Sequence, residues 1–323
     1  MKSRFTRKLL LAAASAIALS TALAACSSNT GGTSGGGSSP QLRIVTNNTI
    51  ASLPVVVAQQ EGFFKDEGLT ANLTTVADIT KIPPTLGKQY DIGFGVQPAL
   101  IRAASQGLPL AMISGNAITS TKDQQYVIMT RPNSGISTPA SFNGKKLGTP
   151  TLNGNIHIGT LYWLQQNGVD PKSVTSLQVP TPVMVDQLKA GLIDAAEMQQ
   201  PFIDIAKKAG MVQAAYALSA VGDPAYMSGW LATRPWAEKN PAAVTKFRAA
   251  LDKANAWITA NQAAARQMLS KFTKTDPSVL GDTPISAFTT DLSVESVQQW
   301  DAPMRAVAGF TGKVDYNKLV VLK

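Results

Sequence analysis

An α/β fold of two similar lobes is what this sequence predicts, and three observations predict it. Short apolar runs alternate with helical patterns along the body of the chain, the signature of layered α/β architecture. One helix-to-strand device occurs twice, from Pro84 through Tyr90-Asp91-Ile92 to Gln97-Pro98 and from Pro182 through Leu192-Ile193-Asp194 to Gln200-Pro201. In both copies a Gln falls six residues after the Asp and a Pro seven. The body that carries them, about Gln41 to Lys323, is long enough for two lobes with substantial cores.

The elements follow in order. Lys2, Arg4, Arg7 and Lys8 precede an uncharged run from Leu9 to Leu23 that ends in small residues. That run is shorter than the roughly 20 residues of a membrane span and reads as a cleavable export signal over residues 1–25. Its end, Leu23-Ala24-Ala25-Cys26, resembles the lipobox of bacterial lipoproteins, which implies lipidation at Cys26. Ser27 to Pro40 holds no charge and no large apolar side chain, so residues 26–40 read as a lipidated Cys on a flexible tether. Leu42 to Val45 is a first strand. Pro54 opens a helix running through Val57 and Phe63-Phe64 to a stop at Gly68. Leu73 begins a second strand, Pro83-Pro84 open another helix, and Tyr90 to Gly93 lead into a third strand. Val127 to Met129 and Lys146 to Gly148 are strands. Helices are expected from Asn155 to Asn167, from Pro182 to Ala190 and from Pro241 to Phe272. In the last, Phe247, Leu251, Ala254 and Ile258 recur at spacings of three and four.

Charge and absences narrow the chemistry. The chain carries a net charge of +9, and the four basic residues of the signal account for nearly half of it. What remains is spread thinly, with no basic run beyond two residues, which argues against nucleic acid. Cys26 is the sole cysteine and His157 the sole histidine, so disulfides, zinc clusters and multi-histidine metal sites are excluded from the body. No phosphate-loop or dinucleotide fingerprint occurs. The one G-x-S-x-G match, Gly32 to Gly36, falls in the tether rather than on a strand-to-helix turn. No catalytic residue, cofactor or metal is expected, and the chain reads as a non-enzyme.

Four segments carry a family resemblance: Glu61 to Leu69 (Glu-Gly-Phe-Phe-Lys-Asp-Glu-Gly-Leu), Ser141 to Gly148, Leu188 to Ala195, and Asn240-Pro241 running on to Phe247. Together they resemble the nitrate, sulfonate and taurine binding-protein family, which includes binders of thiamine-pyrimidine precursors. The resemblance implies a type II periplasmic-binding-protein fold: two α/β lobes joined by two crossover strands, near Gln125 to Arg131 and Tyr226 to Thr233. Lobe 1 is then expected at 41–131 and 224–323, and lobe 2 at 132–223. It also implies a monomeric solute-binding component of an ABC importer, tethered by its lipid outside the cell membrane and partnered by a permease and its ATPase. A ligand sensor or an enzyme on the same fold are the rival readings. Two departures stand out. Leu86 and Asp91 are one residue closer than the family's pattern, and the usual Gly-Ser/Thr turn is replaced by Leu152 to His157.

Ligands of open α/β sheets bind beyond the carboxyl ends of the strands, which directs attention to a few residues. Asn47, Asn48 and Thr49 follow the first strand, and Asn153, Asn155 and His157 occupy the equivalent place in lobe 2. Each either meets ligand or caps a helix. Gln97 and Gln200 are cleft donors or pre-proline turn residues. Glu197 either accepts from an amine in the cleft or pairs with a lysine. Phe94 and Phe202 wall a planar ligand or belong to the core, and Lys81 either supplies charge or is solvated. Helix starts and amides suit a small organic solute with a sulfonate or carboxylate head, aromatic or aliphatic in its body. Glu197 favours an aminopyrimidine instead.

Overall fold

The computed structural model describes residues 41–281, 285 and 287–322. The signal segment, the tether and Cys26 lie outside the described residues. Among them twelve strands form: β1 (Gln41–Asn47), β2 (Thr70–Val76), β3 (Ile92–Gly95), β4 (Leu110–Gly115), β5 (Ile118–Thr119), β6 (Tyr126–Thr130), β7 (Lys146–Thr149), β8 (Thr175–Gln178), β9 (Ala195–Gln199), β10 (Val212–Ala215), β11 (Ala225–Tyr226) and β12 (Gly229–Thr233). They build two five-stranded sheets, ordered β2-β1-β3-β12-β4 and β10-β6-β9-β7-β8.

Read from β2 and from β8, the two sheets repeat one plan. In each, a central strand has parallel neighbours on both sides: β1 lies between β2 and β3, and β7 between β8 and β9. In each, an antiparallel strand follows next, β12 beside β3 and β6 beside β9. These two are the crossover strands, each the first main-sheet strand formed after the chain changes sheet. The connections themselves are 120–125 and 216–224. They are held together by the β5–β11 pair, where Thr119 meets Ala225, and by the Thr121 backbone N–H donating to Asp223 at 3.0 Å. The lobe limits expected from sequence place β6 with the first lobe, whereas its hydrogen bonds run to β9 and β10.

The repeated device has a physical basis. The Asp91 N–H donates to the Arg43 carbonyl on β1, and the Asp91 carboxylate accepts from the Arg43 N–H and guanidinium. Asp194 does the same on β7, giving its N–H to the Lys146 carbonyl and accepting the Lys146 N–H, with Arg131 as its cation. Each Asp thereby sets the register of a parallel strand at its entry.

Several predicted helices are shorter than the pattern suggested. The helix expected from Pro54 to Gly68 is two, α1 (Leu53–Gln60) and α2 (Phe63–Asp66), because Gly62 adopts φ +82° between them. The helix expected from Pro83 is only a single 3₁₀ turn, Pro83–Thr85, preceded by another at Ile79–Lys81. Two prolines remove donors there, and Gly87 turns the chain at φ +76° one turn later. Next come α3 (Gln97–Ser105), α4 (Asn155–Gln166), α5 (Met184–Lys189), α6 (Phe202–Lys208) and α7 (Arg234–Lys239). The long helix expected from Pro241 to Phe272 is α8 (Pro241–Ala260) and α9 (Gln262–Thr273), divided at Asn261. Phe247, Leu251, Ala254 and Ile258 are all buried on α8, as their spacing predicts. Phe247 stacks on Phe64 and meets Trp230 of β12 edge-on at 5.7 Å, and Trp230 meets Phe94 in the same way at 6.0 Å. This aromatic column joins the crossover strand to the first core.

Candidate functional site

The carboxyl ends of β1 and β3 in one sheet and of β7 and β9 in the other border a common cleft of about 290 Å³. Both sheets belong to one compact unit. Asn47 and Thr49 supply the wall after β1, Phe94 and Val96 the wall at β3, Thr149 and Thr151 the wall after β7, and Gln199 the end of β9. Asn155, Thr181, Tyr126 and Ser228 complete the polar surface. None of its lining residues is charged. Three helix starts border it: Thr49 to Ala51 ahead of α1, Val96 at the cap of α3, and Gly154 at the cap of α4. First-turn N–H groups have no partner within their helix and carry the positive end of its dipole.

The candidate residues divide on inspection. The Oδ1 of Asn47 accepts from Thr49 Oγ1 at 2.9 Å and Ser52 Oγ at 2.8 Å. Its Nδ2 is left as a donor at the cleft wall. Asn155 also lines the cleft, yet its amide is committed, donating to the Met227 carbonyl at 2.9 Å and accepting from the Ile156 N–H. Asn155 therefore locks α4 to the crossover segment. Phe94 borders the cleft but is almost wholly buried, its ring and that of Trp230 meeting edge-to-face. Asn48 lies in an adjoining chamber, its Nδ2 reaching the Thr273 carbonyl at 3.4 Å. Gln200 and Phe202 line that chamber too. Asn153 sits at φ +57° and borders a third cavity with Arg102, whose guanidinium donates to the Asn153 carbonyl. Gln97 is fully buried, with both amide atoms lacking a partner among the described residues, and does not line the cleft.

Besides Gln97, two further sequence expectations need correction. His157 is a capping and packing residue rather than a cleft residue. Its Nδ1 accepts the Asn153 N–H at 3.0 Å, so in the neutral ring the proton is on Nε2, 2.8 Å from Ser176 Oγ. Burial lowers its pKa to about 4, consistent with a neutral ring. Glu197 lies inside the second sheet, fully buried, and is absent from the cleft wall. Burial pushes its pKa up to about 7, and the neighbouring Thr149 and Thr160 hydroxyls pull it partly back. Thr149 Oγ1 donates to the Thr151 carbonyl at 3.4 Å, and both Glu197 carboxyl oxygens lack a hydrogen-bond partner among the described residues. The reason is local: Ala195 to Met198 are all buried, so no apolar-polar alternation marks which way a β9 side chain points.

The residues missed from sequence are Thr149, Thr151, Thr181, Gln199, Tyr126 and Ser228. Thr149 and Thr151 flank Pro150 at the end of β7, the position homologous to Asn47 and Thr49 in the repeated plan, and that symmetry was the available signal. Tyr126 heads a crossover strand, and burial raises its pKa to about 12, so it stays a phenol. No local pattern marks Tyr126 or Ser228, which a long-range return of the chain brings to the cleft.

Two parallel-centred sheets, one antiparallel crossover strand in each, and a cleft at the carboxyl ends define the periplasmic-binding-protein fold. The structure aligns with the aliphatic sulphonate-binding protein SsuA of Escherichia coli at a TM-score of 0.71 and 19% identity, covering 87% of this chain and 97% of that one. The alkanesulfonate-binding SsuA of Xanthomonas axonopodis pv. citri, bound to MOPS, aligns at 0.69 and 18%, covering 87% and 98%. In sequence, a Brachyspira hyodysenteriae protein whose name proposes an ABC transporter periplasmic binding protein is 29% identical over 136 residues. That match spans 42% of this chain and 38% of that protein, so less than half of the relative's length is covered. The family model described as NMT1/THI5 like matches residues 49–265. This chain belongs to the NMT1/THI5-like family. No helix among the described residues is long and apolar enough to cross a membrane.

Proposed function

We propose that this protein is the solute-binding component of an ABC importer. It is held outside the cell membrane by a lipid on Cys26, and it delivers a small organic anion, a sulfonate or carboxylate, to a permease and its ATPase. The observation that carries the ligand class is the cleft wall: uncharged donors and three helix starts, with no charged side chain among its residues. Such a surface stabilises an anion through N–H groups and dipole ends without the desolvation of a buried cation. The likeness to sulfonate-binding structures supports the same reading.

The alternative, an aminopyrimidine of the kind that precedes thiamine, depended on Glu197 as an acceptor in the cleft. With Glu197 behind the wall, no anionic side chain among the lining residues meets an amine. Function follows from two states. One lobe captures the solute and closure over it buries it against the other, so loaded and empty protein present different surfaces to the permease. Nothing in this cycle requires turnover of the solute. Isothermal calorimetry and thermal-shift screening of sulfonates, carboxylates, nitrate and aminopyrimidines test the reading. A true ligand at about a hundred times its Kd adds roughly 2.7 kcal/mol of stability, and scattering on the loaded protein should give a smaller radius of gyration. Stabilisation by cationic amines alone, or chemical conversion of the ligand, overturns it.

A further inference from the structure

The cap of α3 opens on two spaces. Val96 borders the cleft, and it also borders a side pocket of about 200 Å³ that shares Ile79, Thr151 and Gly154 with the cleft. On the first lobe the pocket follows one face of α3, where Pro98, Ala99 and Arg102 lie within one turn of each other, as neighbours on a helix surface do. On the second lobe its wall is Leu152 and Asn153, within the segment where the sequence departs from the family's usual turn. That turn is fixed from behind. The Leu152 N–H donates to Gln178 Oε1 at 3.3 Å, and the Asn153 N–H donates to His157 Nδ1 at 3.0 Å.

Among the described residues, Arg102 is the single charged residue on the walls of the two spaces. It is half-buried, and the partner of its guanidinium among the described residues is the Asn153 carbonyl, at 3.4 Å. One of five donors is thus engaged, through a bond longer than the usual range. Burial lowers the Arg102 pKa, and no carboxylate among the described residues counters that effect. The cation is therefore partly desolvated without a counter-ion, an arrangement that costs free energy until an anion meets it. Asp78, the acid adjoining Ile79 in the chain, is committed elsewhere, accepting from the Thr80 N–H and hydroxyl at 3.0 and 2.6 Å. Six residues of helix separate Val96 from Arg102, about 9 Å of rise. A group at the guanidinium and a group on the cleft wall thus belong to opposite ends of one solute.

We propose that Arg102 is a second anion subsite: the solute sets one acidic head on the uncharged cleft wall and a second acidic group, at its far end, against the Arg102 guanidinium. The proposal rests on the anion-binding reading above and names the class of solute, a dianion with an acidic group at each end. The second group takes the guanidinium donors that the Asn153 carbonyl leaves free, at a point where the two lobes meet. An anion with a neutral tail reaches the same pocket and leaves the cation uncompensated.

The test is calorimetry on the ligand-free wild type, Arg102→Gln and Arg102→Lys, with α,ω-dicarboxylates carrying two to eight methylenes, benzene-1,4-diacetate, and the monomethyl ester of each. An ester keeps the length of its diacid and removes one charge. Methanesulfonate and acetate report the first head alone, and alkylamines report a cation. In the wild type, a diacid long enough to reach Arg102 should bind about tenfold tighter than its ester, the gain of a hydrogen-bonded charge pair at a half-buried site. Shorter diacids should show no such preference. Arg102→Gln should bring the long diacid to within about twofold of its ester, and Arg102→Lys should keep part of the preference as a point charge without the planar fork. The wild-type comparison of diacid with ester decides by itself if either variant fails to fold. Equal binding of diacid and ester at every length overturns the proposal while the anion reading stands. So does a loss of the same factor from both in Arg102→Gln, which would make Arg102 a latch between the lobes. Binding of amines but of no anion overturns the anion reading and the proposal with it, as does binding by no member of the panel.

Discussion

Replacing Glu197 by glutamine preserves the shape of a fully buried side chain and removes its ability to ionise. In the folded protein its pKa is pushed from 4.5 up to about 7, because burial withdraws water from the carboxylate and supplies no cation in return. The folded state therefore holds this proton more tightly than the unfolded chain does. Stability that is full below pH 4.5 is lost as pH rises to about 7. Each pH unit in that window costs about 1.4 kcal/mol, so the wild type loses roughly 3 kcal/mol through this one group. His157 works in the opposite sense. Its folded pKa falls from 6.5 to about 4, so its contribution is full above pH 6.5 and declines as pH falls toward 4. Between about 4.5 and 6.5 the two slopes oppose, and the wild type's own profile conceals both. The difference between Glu197→Gln and wild type isolates one of them, since His157 is common to the pair. Urea unfolding of the ligand-free proteins at intervals from pH 4 to 8 should show the variant gaining on wild type by about 3 kcal/mol across the range, at constant slope in urea. A difference that stays level over that range would refute a buried carboxyl without a cationic partner at this position.

Three further outcomes are expected. Asn47→Asp keeps the acceptor that Thr49 and Ser52 use but replaces the cleft-facing donor with a negative charge, so anion affinity should drop about tenfold or more by calorimetry with little change in unfolding. Unchanged or tighter anion binding would count against the site. Trp230→Ala empties the centre of the aromatic column between Phe94 and Phe247 and should cost about 3–5 kcal/mol in urea unfolding. A smaller loss would mean the column is not a core element. Metabolic labelling with a palmitate analogue should mark the wild type and leave Cys26→Ala unlabelled, and equal labelling of the two would dismiss the lipid anchor.

Much of the architecture was legible along the chain because its signals are local. Strand runs, proline-started helices and the glycines that stop them are properties of a few neighbouring residues, and α8 emerged with the buried face its spacing predicted. The paired devices at Asp91 and Asp194 were visible as a repeat, and in the structure both perform one task, setting the entry of a parallel strand through a backbone pair and a carboxylate. Local spacing also shows where it fails: Gly62 divides a helix that periodicity would have continued.

The site was only partly legible. Asn47, Thr49 and Asn155 stand at the cleft because a strand's carboxyl end followed by a helix start is itself a sequence pattern. Tyr126 and Ser228 reach the same cleft from crossover segments, and β12 inserts between β3 and β4 from more than a hundred residues away. Glu197 and His157 were misplaced for one reason. A strand buried on both faces, or a helix start packed against a neighbouring sheet, carries no alternation that says which side its polar residue faces. That direction is decided by pairing with β6, β7 and β8, and pairing between distant strands exists only once the chain has folded.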